Sequence, residues 1–182
     1  MYVFELNGEE VGISADEYDA FVAANPTAAP VMVEYEPQKD STAVFKNLSV
    51  EGDIYNAVWQ AYQAVDVTFE NAEIIGVISS AWANHVDADG NAVPGGTVIE
   101  ADSSLNCHLG MGRVKNTVAP TVNNPVYLTL TAGAVWNVTG ISYLAKLTID
   151  GTSSIPSATM TVDGVSTPIA PGIYEGEIVI SA

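Results

Sequence analysis

A five-residue pattern recurs along the chain: apolar, polar, apolar, any residue, glycine. It reads Leu-Ser-Val-Glu-Gly over residues 48–52, Ala-Glu-Ile-Ile-Gly over 72–76 and Trp-Asn-Val-Thr-Gly over 136–140. It returns as Leu-Thr-Ile-Asp-Gly over 147–151 and Met-Thr-Val-Asp-Gly over 160–164. Residues 128–133, Leu-Thr-Leu-Thr-Ala-Gly, carry one extra residue before the glycine. Two apolar residues flanking a polar one give the period-2 signature of a strand with one buried face. The glycine supplies a turn conformation that a β-carbon resists. The chain is therefore built from short strands, each stopped by a turn.

The spacing narrows the architecture. The starts at 48 and 72 lie 24 residues apart (72 − 48), and those at 136, 147 and 160 lie 11 and 13 apart. The strings over residues 45–54 and 69–78 match position by position: Phe45 with Phe69, Asn47 with Asn71, Val50 with Ile74, Gly52 with Gly76, Ile54 with Ile78. Two arrangements fit strands of this length. One is an antiparallel β-sandwich; the other is a parallel β-solenoid, or β-helix, in which like residues stack on like. The matched strings and the corner asparagines favour the solenoid, because equivalent residues 24 apart suit successive layers.

Residues 1–38 read as a separate ββαβ cap. Tyr2–Leu6 and Glu9–Ile13 flank an Asn7-Gly8 turn, whose residues tolerate positive φ. Ser14 with Glu17 forms a capping box for a helix that ends before Pro26. Val31–Tyr35 completes the cap as a third strand. Residues 39–182 form the solenoid, with an irregular excursion over 82–124 and closing strands at the C-terminal end. Ile54, Tyr55, Val58, Trp59 and Tyr62 have near-helical spacing, which admits a short helix between layers or an extended corner with its aromatics packed on the flank.

The block from Pro125 to Gly151, with Leu-Thr-Leu at 128–130, Trp-Asn-Val-Thr-Gly at 136–140 and Leu-Thr-Ile at 147–149, resembles segments of right-handed parallel β-helices in bacterial surface proteins. These are pertactin-type passenger domains and adhesin-like proteins of gut Firmicutes. The resemblance covers about residues 41–164 and is carried by strand and turn elements. It implies a right-handed helix and a structural or adhesive role at the cell surface. The chain departs from the passenger domains in lacking a translocator barrel, and it has no Arg-Gly-Asp tripeptide.

Composition bounds the partners. With 22 acidic residues against 5 basic ones, the formal net charge is −17. That argues against nucleic acid and anionic membrane, both of which need clustered Lys or Arg. Cys107 is the sole cysteine, so no intrachain disulfide forms, and beside His108 it reads as an inert thiol. No basic start and apolar core of a signal peptide opens the chain. The Thr-, Ser- and Asn-rich polar complement nevertheless suits a piece of a longer exported chain.

Few residues suggest chemistry. Asp87, Asp89 and Asn91 alternate around Gly90, the oxygen-rich turn that calcium prefers; the acid an EF-hand needs at its twelfth position is Val98 instead. Trp59, Tyr62 and Trp82, with His85, offer rings on which a pyranose could stack. Arg113 and Lys115 are the one close basic pair that a polysaccharide lyase could use. No nucleotide-binding, CxxC or GxSxG signature is present. The expectation is a non-catalytic surface module for display or adhesion, with a glycan or a surface protein as partner. A glycan-active enzyme and a carbohydrate-binding sandwich are the alternatives.

Overall fold

The computed structural model describes residues 2–7, 40–58, 62–86, 89–91 and 114–182. The helix, the second and third strands and the turn expected within the N-terminal cap lie outside them, as do Cys107, His108 and Arg113. Two compact units are defined by contacts. One comprises Met1–Gly8, Pro37–Asn84 and Asn116–Ala182, the other Glu9–Glu36 and His85–Lys115.

The described strands form three sheets. A seven-stranded sheet runs β13-β12-β14-β11-β9-β5-β2, with β2 Ser41–Lys46, β5 Val65–Glu70, β9 Val126–Thr131, β11 Ser142–Ile149, β12 Thr159–Val162, β13 Val165–Ser166 and β14 Gly172–Ser181. A three-stranded sheet runs β10-β6-β3, with β3 Ser49–Glu51, β6 Glu73–Gly76 and β10 Val135–Val138. The last has the order β1-β4-β7-β8, with β1 Tyr2–Asn7, β4 Asp53–Ala57, β7 Ile78–His85 and β8 Val114–Val118.

The matched strings lie side by side. Phe45 pairs with Phe69, Val50 with Ile74 and Ile54 with Ile78, all in parallel strands and all 24 residues apart (for example, 69 − 45). The alternation then places side chains. Val65, Val67 and Phe69 are fully buried while Asp66 is exposed, and Val126, Leu128 and Leu130 repeat the pattern with Tyr127 between them. The inward set forms one core with Ile54, Ile74, Ile78 and Trp136. Phe45 and Phe69 stack at 4.9 Å between ring centroids, an arrangement that adds to their area burial.

The turns follow from the same register. Asn47 and Asn71 both sit in the left-handed region, at φ 54° and 48°, and Asn71 Nδ2 donates to Asn47 Oδ1 at 2.9 Å. Asparagine tolerates this conformation better than most residues. Gly76 stands where strands crowd: a β-carbon there would lie 2.1 Å from the Gly52 carbonyl oxygen.

The expected fold class is corrected. The described residues are all-β, in three sheets of mixed parallel and antiparallel pairing, where a parallel solenoid was expected; the helix and two strands of the α/β cap lie outside them. The seven-stranded sheet is parallel from β2 to β11, then turns antiparallel at β11–β14 and stays so through β12 and β13. The β12–β13 hairpin turns the chain back on itself, so β14 returns against β11. A register shift between Leu144 and Lys146 accommodates it. The antiparallel sandwich does not describe β2, β5, β9 and β11, which pair with one another in parallel.

No helix is present among the described residues. Of the two readings of the spacing from Ile54, its start follows the extended one: Ile54–Asn56 belong to β4 and pair in parallel with Ile78–Ser80. Their aromatic and apolar residues are buried on both sides of the strand, which erases the period-2 signal. Among the described residues β1 pairs with β4, in parallel; the strand expected to complete its hairpin lies outside them.

Candidate functional site

Each buried polar side chain near the sheet junctions has a structural task. Asn56 is fully buried, and its Nδ2 donates to the carbonyls of Gln63 at 2.9 Å and Pro125 at 3.0 Å. Asn124 Nδ2 donates to the carbonyls of Asn56 at 2.8 Å and Ala81 at 3.0 Å. Ser80 Oγ donates to the Asn124 carbonyl at 2.9 Å. Ser79 Oγ accepts from Tyr143 N at 2.9 Å, and Ser142 Oγ from Ile78 N at 3.3 Å. These groups satisfy backbone that leaves its ladder where strands end. They are occupied, and none lines either of the two grooves at the surface.

Asp150 shows the same logic at the surface. Its Oδ1 accepts from Thr152 N, Thr152 Oγ1 and Ser153 N, and its Oδ2 from Ala132 N and Thr131 Oγ1, all at 2.7–3.0 Å. The Thr152 amide first, then the Ala132 amide, hold its carboxyl far below the usual range. Glu175 is lowered by the hydrogen bond from Lys146.

Two open grooves mark the surface. One, of about 420 Å³, lies over Gly52, Asp53 and Gly76; the other, of about 550 Å³, lies over Asn47, Asn71 and Gly133. Turn backbone dominates both. The outer face of the seven-stranded sheet is richer. Register places Thr42, Asp66, Tyr127, Lys146 and Glu175 in one row across five strands. The next row is Val44, Thr68, Thr129, Thr148 and Ile173. Tyr62 joins the first row from outside the sheet, its hydroxyl 2.7 Å from that of Tyr127. That contact first, then burial and the nearby charges of Asp40 and Asp66, push the Tyr127 hydroxyl up to about 12.

The residues expected to form a site are described only in part. Trp59 and Asp87 lie outside the described residues. Tyr62 is 47% exposed and belongs with the seven-stranded sheet through Tyr127. Trp82 is exposed on β7, in the four-stranded sheet. His85 is the last residue of β7, a strand that continues three residues past Trp82. Asp89 and Asn91 are exposed at the Gly90 turn, where φ is 82°. Among the described residues no three His, Cys, Asp or Glu side chains gather as metal ligands.

Tyr127 was missed as a site residue. The signal was present, since the alternation over Val126–Thr131 sends Tyr127 outward, but its partner Tyr62 is 65 residues away. Protein-family models, curated proteins and solved structures were each compared with the chain, and none matches.

Proposed function

We propose that the chain is a non-catalytic module for display or adhesion, working outside the cell or on its surface. The observation that supports it best is the outer face of the seven-stranded sheet. Five strands present two aligned rows there, polar except for Val44 and Ile173 at the ends of the second, backed by a core in which Val65, Val67, Phe69, Leu128 and Leu130 are at most 1% exposed. Such a face is rigid, and rigid elements position contact groups better than loops do. The carboxylates with displaced titration among the described residues, Asp150 and Glu175, are both lowered by hydrogen bonds. A general acid at neutral pH needs the opposite shift. The polar composition and the resemblance of residues 41–164 to bacterial surface proteins support the location, and the charge of −17 supports a partner other than nucleic acid.

Beads coated with the protein test this reading, by their retention under flow on mucin-coated and on protein-coated surfaces. Retention above that of albumin-coated beads is the expected result. Release of reducing ends or unsaturated products from polysaccharides, with or without calcium, would overturn the non-catalytic reading.

A further inference from the structure

We infer that Tyr62, Tyr127 and Asp66 form a subsite for a neutral hexopyranose on the outer face of the seven-stranded sheet. The inference rests on the recognition role proposed above and names its ligand class.

The dyad is built rather than incidental. Tyr62 is 47% exposed, yet its tip is tied to Tyr127 Oη at 2.7 Å. Tyr127 is half-buried at the centre of its row, rooted between the fully buried Val126 and Leu128. An exposed ring that is already held loses little further freedom when a ligand arrives. Tyrosine also combines an apolar ring with a polar tip, which is what a pyranose needs: C–H groups on its faces and hydroxyls around its edge.

The surrounding groups complete the chemistry. Asp66 is the in-register neighbour of Tyr127 on β5 and is exposed. It has no hydrogen bond to another described residue, so both carboxylate oxygens can accept from adjacent sugar hydroxyls, in the stronger charge-assisted form. On the other side, Lys146 is engaged by Glu175 at 2.8 Å. One row further along the strands lie the hydroxyls of Thr68, Thr129 and Thr148, about 7 Å away at two residues' rise. That distance is suited to extending contact along a chain of sugars.

Charge selects among glycans. Asp40 and Asp66 both bear on Tyr127 electrostatically, and the one lysine in the row is paired. An acidic polysaccharide would be repelled, and a neutral one would not. A protein partner fits less well, since the large exposed apolar side chains of these two rows, Val44 and Ile173, stand at opposite ends of one row.

Affinity electrophoresis of the full chain in gels containing laminarin, mannan, galactan or polygalacturonate tests the subsite. Retardation by at least one neutral polysaccharide, insensitive to salt, is expected, and none by polygalacturonate. Tyr62→Ala should weaken that binding about tenfold, the loss of one aromatic contact. Asp66→Asn should weaken it several-fold, while Tyr143→Ala, on the same face but outside these rows, should leave it unchanged. Circular dichroism melts confirm that each variant folds; Asp66→Asn, a surface change of equal size, carries the test if Tyr62→Ala does not. Failure of every neutral polysaccharide, binding only to polygalacturonate, or binding indifferent to both substitutions overturns the subsite. Bead retention on protein-coated surfaces without any glycan binding would also overturn it and leave the display reading standing. Polysaccharide cleavage would count against the display reading instead.

Discussion

Replacing glycine by alanine at three turns of the same apparent kind should have three different effects. At Gly76, φ is 158°, and the added β-carbon would lie 2.1 Å from the Gly52 carbonyl oxygen and 2.7 Å from its carbon. Both obstacles are backbone, so no side chain can rotate away. Gly76 cannot simply retreat either, because its own carbonyl accepts the Trp136 Nε1 hydrogen bond at 3.0 Å. Forced overpacking costs about 1–3 kcal/mol, and an unfavourable backbone conformation about 1–3 more. Together these suggest about 2–6 kcal/mol for Gly76→Ala, a large part of the roughly 5–15 kcal/mol that holds a domain folded. At Gly133, φ is 85° but nothing lies within 4 Å of the built β-carbon; only the left-handed penalty of about 1–2 kcal/mol applies. At Gly151 neither obstacle exists, and reduced freedom of the unfolded chain makes alanine neutral or stabilising by up to about 1 kcal/mol. Urea unfolding, followed by circular dichroism and fitted with a common m-value, orders the three. Gly76→Ala costing no more than Gly133→Ala would refute the close approach of Gly52 and Gly76.

Two further outcomes are expected. Asp150→Asn should lower the urea midpoint at neutral pH, and its deficit against the native chain should shrink on acidification. The native carboxyl is lowered in the fold, so its contribution is present above the unfolded value of about 3.9 and is lost as pH falls toward the folded one; a deficit constant from pH 7 to pH 2.5 would show that Asp150 acts without its charge. Asn124→Ala should cost about 2–4 kcal/mol, since it leaves the buried carbonyls of Asn56 and Ala81 without their donor, and a thermal midpoint within a degree or two of the native value would remove that network from the account.

Local pattern was more legible than connectivity. The match of residues 45–54 with 69–78 anticipated the pairing of Phe45 with Phe69 and Ile54 with Ile78, because alternation and a shared corner asparagine are written in adjacent residues. The antiparallel return of β14 was not legible. It depends on which strand β14 meets after the β12–β13 hairpin, and Ile178 and Ile180 alternate identically whether their neighbour runs parallel or antiparallel. The turn after β11 looked like another glycine stop, Asp150-Gly151, when its carboxylate rather than its glycine organises it. The site was legible one residue at a time. Tyr62 was read as a ring for a sugar, but the sequence carries no mark that joins it to Tyr127, and it suggested Trp82, which lies on another sheet.

The corner column shows why a motif can be copied in shape and replaced in chemistry. Asn47, Asn71 and Ala132 occupy equivalent places, since Asn47 N bonds to Glu70 O and Asn71 N to Thr131 O. All three are left-handed, at φ 54°, 48° and 55°. The first two share a side-chain amide bond, and alanine has no side chain to continue it. In its place the Asp150 carboxylate, arriving at the end of the neighbouring β11, accepts from Ala132 N at 2.7 Å and Thr131 Oγ1 at 3.0 Å. Gly133, the residue inserted into this copy of the motif, takes φ 85° and lets the chain re-enter register at Val135, opposite Glu73. The turn has thus changed its stabilising group from an amide ladder to an anion bound by backbone N–H groups, while the left-handed residue at the corner is kept. An asparagine at position 132 would restore the ladder's side chain but compete with Asp150 for the same turn. Ala132→Asn should therefore gain little in the native chain and more in Asp150→Asn, a coupling that a double-mutant cycle measures directly.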